Sequence, residues 1–284
     1  NGTTYSHETV VSKVKAGNKA QNSSGDESYL TETEMTEIIT KANSLGIEIV
    51  PLLNLPGHAN AILDIADDAY NAYGSNNTLN VASSSDTARN FGKAIFEKYV
   101  DYFAGKGCKF FNFGADEYAN DASGTFSFSR LTTTEYGRFV AFINDLAAYI
   151  TEKGMTPRAF NDGLYYNNQA NAADTSIQCC YWSSGWGDYP VASASTIFGK
   201  GHPMINTNGD FYYILGKSDK FDSDYSYASN FSNTVFMGSN INDPVGSMFC
   251  IWCDYPNAET ETVVARKTRL VLRAMAARMD NKSI

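Results

Sequence analysis

Lys109-Phe110-Phe111-Asn112-Phe113-Gly114-Ala115-Asp116-Glu117 is the stretch whose reading decides the fold. Its phenylalanine-rich half reads as a short buried strand bounded by glycine. The Gly-Ala step then delivers two adjacent carboxylates just past the strand's C-terminal end. Working outward, the same unit recurs. Upstream, Ile47 to Leu53 reads as a buried strand, preceded by a helix that Thr31 and Glu34 open as a capping box. That helix carries Met35, Ile38, Ile39, Ala42 and Leu45 on one face and ends at Gly46. A second helix follows Asp86, with Phe91, Ile95, Tyr99 and Phe103 in register, and stops between Gly105 and Gly107.

Downstream, Thr132 and Glu135 open a third helix that runs through Phe139, Phe142, Ile143, Leu146 and Ile150 to Gly154. Arg158 to Phe160 is a short strand. Three more strands are expected at Ile177 to Trp182, Pro203 to Asn206 and Ser247 to Trp252. A long last helix, from about Glu259 to Met279, carries Val264, Val271, Leu272, Met275 and Met279.

Repeated strand–helix alternation implies parallel strands joined by right-handed crossovers. No glycine-rich phosphate fingerprint follows a strand, which weakens an open nucleotide-binding sheet. Asn54 and His58, Asp116 and Glu117, Asn161 and Asp162, Trp182, Asn206 and Asp210, and Trp252 and Asp254 all fall at strand C-termini. A (β/α)8 TIM-type barrel gathers such positions into one mouth. The expected architecture is therefore an α/β barrel, one catalytic domain over residues 1–284. Six strands are countable, and the residues before Tyr29 read as polar and loop-like. Two N-terminal barrel strands are thus expected to be missing.

The chain of 284 residues is 43% hydrophobic and carries a net charge of −9. That acidity argues against nucleic acid or an anionic membrane surface as partner. No apolar run approaches the roughly 20 residues of a membrane span. The chain begins at Asn1 without a recognisable signal peptide and reads as an excised or processed piece. Its 18 Tyr, 17 Phe and 3 Trp would suit sugar faces as well as a core. Of the five cysteines, Cys179-Cys180 are adjacent and Cys250 and Cys253 have C-x-x-C spacing inside strand-like runs. Neighbours, or residues three apart, point to opposite faces of a strand, so buried free thiols are expected rather than a redox or zinc site.

Adjacent carboxylates in a crowded, partly desolvated site push their proton affinities apart. Glycoside hydrolysis needs that inequality: one group donates a proton to the leaving oxygen while an anion steadies developing positive charge. Taken alone, the pair reads far more readily as a cap on a loop or helix start. Phe113-Gly114-Ala115-Asp116-Glu117-Tyr118, however, resembles the G-x-D-E signature of glycoside hydrolase family 20. Pro51-Leu52-Leu53-Asn54-Leu55-Pro56-Gly57-His58 resembles that family's preceding P-x-x-x-x-P-G-H segment. Ala159-Phe160-Asn161-Asp162-Gly163, the run from Tyr181 to Gly187, Asn206-Thr207-Asn208, the run from Phe211 to Gly216 and Trp252-Cys253-Asp254 continue the likeness in order. It extends from about Thr31 into the last helix and is nearest to the catalytic modules of streptococcal surface exo-β-N-acetylglucosaminidases.

The resemblance implies an exo-β-N-acetylhexosaminidase that removes terminal β-linked N-acetylglucosamine, with N-acetylgalactosamine also open. It implies retention through substrate assistance, in which the 2-acetamido oxygen attacks the anomeric carbon and forms an oxazolinium. Asp116 would orient and stabilise the acetamide, and Glu117 would act as acid, then base. Asn54 and His58 would border the site, His58 relaying a hydrogen bond to a catalytic carboxylate or serving structure alone. Trp182 and Trp252 would wall the acetamide pocket. Tyr212, or its neighbour Tyr213, would aim the acetamido oxygen. Asp254 would accept from hydroxyls on the non-reducing side, and Trp186 and Tyr225 would stack on the leaving sugar. No cofactor or metal is implied.

The glycan is the implied partner, and an extracellular or cell-surface location within a larger modular protein is implied with it. The family's sugar-gripping Arg and its acidic companion, usual on the first two strands, have no counterpart before Tyr29. Two alternatives follow: a lacto-N-biosidase of the same family, and a non-catalytic glycan-binding barrel.

Overall fold

The computed structural model describes residues 6–21, 29–66, 70–118, 127–168, 170–185, 190–208, 212–214, 229–253, 255 and 258–279. They belong to two compact units, one of residues 1–178 and 185–192 and one of residues 179–184 and 193–284.

The first unit opens with helix α1, His7–Gln21, where the sequence had read as loop. Its weak amphipathic pattern hides it from periodicity, and most of its described side chains are exposed. Helix α2, Glu32–Ser44, begins at the expected capping box: Thr31 accepts from the Glu34 amide, and the Glu34 carboxylate accepts from the Thr31 amide at 2.8 Å. Its buried face is narrower than expected, since Ile39 and Ala42 are buried whereas Ile38 and Leu45 are exposed. Strand β1 is Leu52–Leu55; residues 47–50, read as the start of the strand, form no ladder. A short helix α3, Asn60–Leu63, and an antiparallel hairpin, β2 (Asn71–Ala72) and β3 (Ser75–Leu79), follow unannounced by the sequence.

Helix α4, Thr87–Gly105, lies where expected but turned by one residue. Ala88, Gly92, Phe96, Val100 and Phe103 are its buried stripe, and Tyr99 is exposed. The hairpin accounts for this: a Cβ on Gly92 would sit 2.4 Å from Leu79 Cδ2, so glycine lets the helix close down on β3 without displacing that side chain. Phe91, on the neighbouring stripe, stacks on Tyr70 at 4.0 Å.

Strand β4, Phe110–Gly114, pairs in parallel with β1 on one side and with β5, Thr156–Phe160, on the other. Helix α5, Thr133–Glu152, makes the crossover and carries the second expected capping box at Thr132 and Glu135. Phe111 is fully buried and meets Phe96 edge-on at 5.2 Å, which fastens α4 to the sheet. Phe139 ties α5 to the segment beyond β4, its ring centroid 4.8 Å from that of Phe128 and 5.5 Å from that of Tyr118. Full burial of such rings contributes roughly 1.5–3 kcal/mol each, so this three-strand core outweighs any surface pair.

In the second unit, β6 (Gln178–Tyr181), β7 (Met204–Asn206) and β11 (Gly246–Ser247) run parallel in that order. Helix α6, Ala194–Gly199, is capped by Ser193 and connects β6 to β7. β9 (Val235–Phe236) and β10 (Ser239–Asn240) form a hairpin, and Asn206 donates to the Val235 carbonyl at 2.8 Å. The run expected as one strand from Ser247 to Trp252 is two: β11 pairs with β7, and β12, Cys250–Trp252, pairs with β8, Tyr212–Ile214. Helix α7, Glu261–Met279, packs Val271, Ala274 and Met275 against Phe231, while Leu272 and Met279 are exposed. Cys179, Cys180 and Cys250 are buried thiols as expected; Cys253 is exposed, because it lies past the end of β12 where no ladder covers it.

Among the described residues, no helix is long and apolar enough to cross a membrane.

Candidate active site

The site is assembled where β1, β4 and β5 end. After β1 the chain passes a cis Leu55–Pro56 bond and Gly57 to His58, which has a φ of 50°. After β4, Gly114, Ala115 and Glu117 take φ values of 75°, 68° and 46°. Left-handed backbone at two non-glycine residues is uncommon and must be held by its surroundings. Here it is. A Cβ on Gly57 would fall 2.6 Å from the Asp116 carbonyl, and one on Gly163 would fall 2.8 Å from the Ala115 carbonyl. The loops after β1 and β5 therefore close on the Asp116 backbone from two sides, and glycine is the residue that permits the approach. Within the loop, Asn112 Oδ1 accepts from the Gly114 amide at 2.8 Å.

His58 Nε2 lies 3.2 Å from Glu117 Oε2 and 3.5 Å from Asp116 Oδ2. The sequence left open whether this histidine was structural, and the structure joins it to both carboxylates. Asp116 is 9% exposed, with burial pushing its carboxyl up to about 6, opposed by the nearby His58 and reinforced by Glu117. For His58, burial works against the charged form. The hydrogen bond to Glu117 and the charges of Asp116, Glu117 and Asp162 outweigh it and raise the imidazole to about 9. At neutral pH the cluster thus contains an imidazolium that offsets part of the carboxylates' repulsion. Asp116 Oδ1 is buried with no hydrogen-bond partner among the described residues, an acceptor still lacking its donor. The ligand atoms of His58, Asp116 and Glu117 lie within 4.8 Å of one another, close enough that the trio could also hold a metal ion.

Asn54 sits on β1 with its side chain turned to the backbone of β4: its Oδ1 occupies the space beside Gly114 and is buried without a partner among the described residues. In the second unit, half-buried Trp182 follows β6 and half-buried Trp252 ends β12. Tyr212 and Tyr213 are on β8, in register with Cys250 and Ile251. The two tyrosines and Trp252 are therefore brought together on one pair of strands. Trp186, Tyr225 and Asp254 lie outside the described residues.

One participant had been assigned no role from the sequence. Asp162, fully buried, accepts the Glu117 amide hydrogen on Oδ2 at 2.7 Å. Its signal in the sequence is the polar pair Asn161-Asp162 at a strand end, inside the family-like run from Ala159 to Gly163.

Residues 4–263 match the family model for the catalytic domain of glycosyl hydrolase family 20. The chain belongs to this family. Among family 20 structures, it is similar to the tandem catalytic modules of the pneumococcal exo-β-D-N-acetylglucosaminidase StrH, with 35% identity and a TM-score of 0.87 over 98% of this chain and 70% of that one. It is 27% identical over 262 residues to the lacto-N-biosidase of Bifidobacterium bifidum, covering 84% of this chain but only 22% of that protein. Dispersin B, at 19% identity and a TM-score of 0.75 over 96% of this chain and 86% of that one, shares the fold. The parallel strands with flanking helices accord with the (β/α)8 barrel expected for family 20.

Proposed function

We propose that this chain is the catalytic domain, over residues 1–284, of a retaining exo-β-N-acetylhexosaminidase acting on glycans with terminal β-linked N-acetylglucosamine. The observation that carries the reading is Asp116: a buried carboxylate with one oxygen paired to His58 and the other without a donor among the described residues. An acetamido N–H is the donor such an oxygen would take, and the exchange would turn the acetamide oxygen toward the anomeric carbon. Asp116 then stabilises the positive charge that grows on the acetamide as its oxygen bonds to that carbon. Glu117 gives its proton to the glycosidic oxygen as the bond to the leaving sugar breaks. In the second half-reaction it takes a proton from the water that opens the oxazolinium. His58 holds both carboxylates in one geometry throughout.

Trp182, Trp252, and Tyr212 or Tyr213 serve as the acetamide pocket, with Asp254, Trp186 and Tyr225 contacting the outer hydroxyls and the leaving sugar. This scheme needs no cofactor or metal. Substrates of this kind place the protein outside the cell or on its surface, within a larger modular chain. N-acetylgalactosaminides are a second substrate class for the same geometry. The similarity to a lacto-N-biosidase supports one alternative, a pocket open to a disaccharide.

Glu117→Gln is expected to lower kcat on aryl N-acetylglucosaminides with poor leaving groups by about 10²–10⁴-fold. Azide, or an activated leaving group, restores part of the rate. An unchanged rate would remove Glu117 as the acid. A thiazoline mimic of the oxazolinium should inhibit the wild type strongly and Asp116→Asn weakly; an active preparation indifferent to thiazoline contradicts substrate assistance.

A further inference from the structure

Glu117 must aim its carboxyl at a glycosidic oxygen from a backbone that ordinary residues leave readily. Its φ of 46° follows a φ of 68° at Ala115, so Asp116 lies between two left-handed residues. A general acid misplaced by about 1 Å can lose on the order of 100-fold in rate. Something must therefore keep this backbone from relaxing toward the right-handed or extended regions.

The turn after β5 is placed to do so. Asp162 Oδ2 accepts the Glu117 amide hydrogen at 2.7 Å, and the Asp162 side chain is fully buried. The next residue, Gly163, packs so closely on the Ala115 carbonyl that a Cβ there would come within 2.8 Å. One dipeptide thus touches the chain immediately before and immediately after Asp116. The turn is itself anchored. The Leu164 amide donates to the Asn161 carbonyl at 2.9 Å, and buried Tyr136 on α5 donates to the Gly163 carbonyl at 2.9 Å. The Tyr136 hydroxyl also accepts from the Tyr166 amide at 3.1 Å. Rotating Glu117 out of its left-handed conformation would strip its N–H from Asp162 and leave a buried carboxylate without that donor.

We propose that Asp162 is a positioning residue for the general acid: its carboxylate, held by the Gly163 turn, locks the Glu117 backbone so that the Glu117 carboxyl points at the leaving oxygen. The inference rests on Glu117 being the acid, and the experiment separates the two.

Wild type, Asp162→Ala, Asp162→Asn and Glu117→Gln are compared on two aryl β-N-acetylglucosaminides, one with a methoxyphenyl and one with a dinitrophenyl leaving group. Circular dichroism and a cooperative melt establish folding for each. Glu117 is base as well as acid, so the comparison uses kcat/KM, which reports bond cleavage and not the later hydrolysis that both substrates share. Asp162→Ala should lose about 100-fold in kcat/KM on the methoxyphenyl substrate and less than about tenfold on the dinitrophenyl one. Asp162→Asn, whose Oδ1 can still accept the amide hydrogen, should return to within about tenfold of wild type on the methoxyphenyl substrate.

Equal losses of Asp162→Ala on the two substrates, while Glu117→Gln still separates them, would mark Asp162 as merely structural and overturn the proposal. Failure of Glu117→Gln to separate them removes the acid assignment and the proposal together. Should Asp162→Ala not fold, Asp162→Glu carries the test, because it keeps the charge but moves the acceptor by one methylene. It must then show the same leaving-group split, and equal losses are again fatal.

Discussion

The ends of β4 and β12 both carry residues proposed for the site, yet the two strands are built differently. β4 lies between two parallel neighbours, its last four residues are buried, and the loop beyond it is gripped by Gly57, Asp162 and Gly163. β12 is three residues long and pairs with β8 alone in its ladder; its burial falls from buried Cys250 to exposed Ile251 and half-buried Trp252. The division matches the two tasks. In the proposed mechanism, moving a proton and steering an acetamide tolerate little positional error, and Asp116 and Glu117 directly follow a strand whose last four residues are buried. Stacking a ring on an aromatic face is broad in angle and distance, and a short ladder suffices for it.

The contrast can be broken most forcefully in the packing. Phe111→Ala empties the space between β4 and α4, where its ring meets Phe96 and Phe103, and should cost about 3–5 kcal/mol in denaturant unfolding. Met275→Ala, in the smaller cluster with Phe231, Val271 and Ala274, should cost nearer 2 kcal/mol. Equal costs would mean that the two cores are equally tight.

Next comes the loop grip. Gly57→Ala puts a methyl 2.6 Å from the Asp116 carbonyl, and neither backbone can yield cheaply. Steady-state kinetics should show kcat/KM reduced by about 100-fold, whereas Gly246→Ala, with nothing within 4 Å, should be silent.

The gentlest test is pH. In the proposed mechanism Asp116 must be ionised to accept the acetamide N–H, and burial raises its carboxyl to about 6. The sign follows: protonation as pH falls through about 6 removes the active form, and kcat/KM should drop about tenfold per pH unit below it. His58, raised to about 9, remains imidazolium across this range and adds no limb of its own there. An acid limb lying near the usual carboxylate value of about 4 would contradict the burial of Asp116.

Much of this was legible in the residues. Both capping boxes, the alternation of strand and helix, the parallel β1–β4–β5 order and the carboxylate pair past β4 all rest on short-range signals. A cap is decided over four residues, and a buried strand shows as an apolar run. What escaped depended on neighbours distant in sequence. α1 went unread because its pattern is weak and its described side chains are largely exposed. The Ser247 to Trp252 run looked like one strand because pattern cannot say that its halves pair with β7 and β8. On α4, two adjacent apolar stripes were available, and Leu79 settled the matter by occupying the space that Gly92 leaves open.

By itself, the sequence determined that strands would alternate with helices and that two carboxylates would stand together at a strand end. Periodicity and turn chemistry are local, and they survive translation into any compact fold. Only the tertiary structure decided what those carboxylates are. Three loops separated by tens of residues bring His58 against both of them, bury Asp116 with one oxygen unpartnered among the described residues, and set Asp162 behind Glu117. Charge, burial and hydrogen-bond geometry depend on distance through space, and no spacing along the chain encodes it.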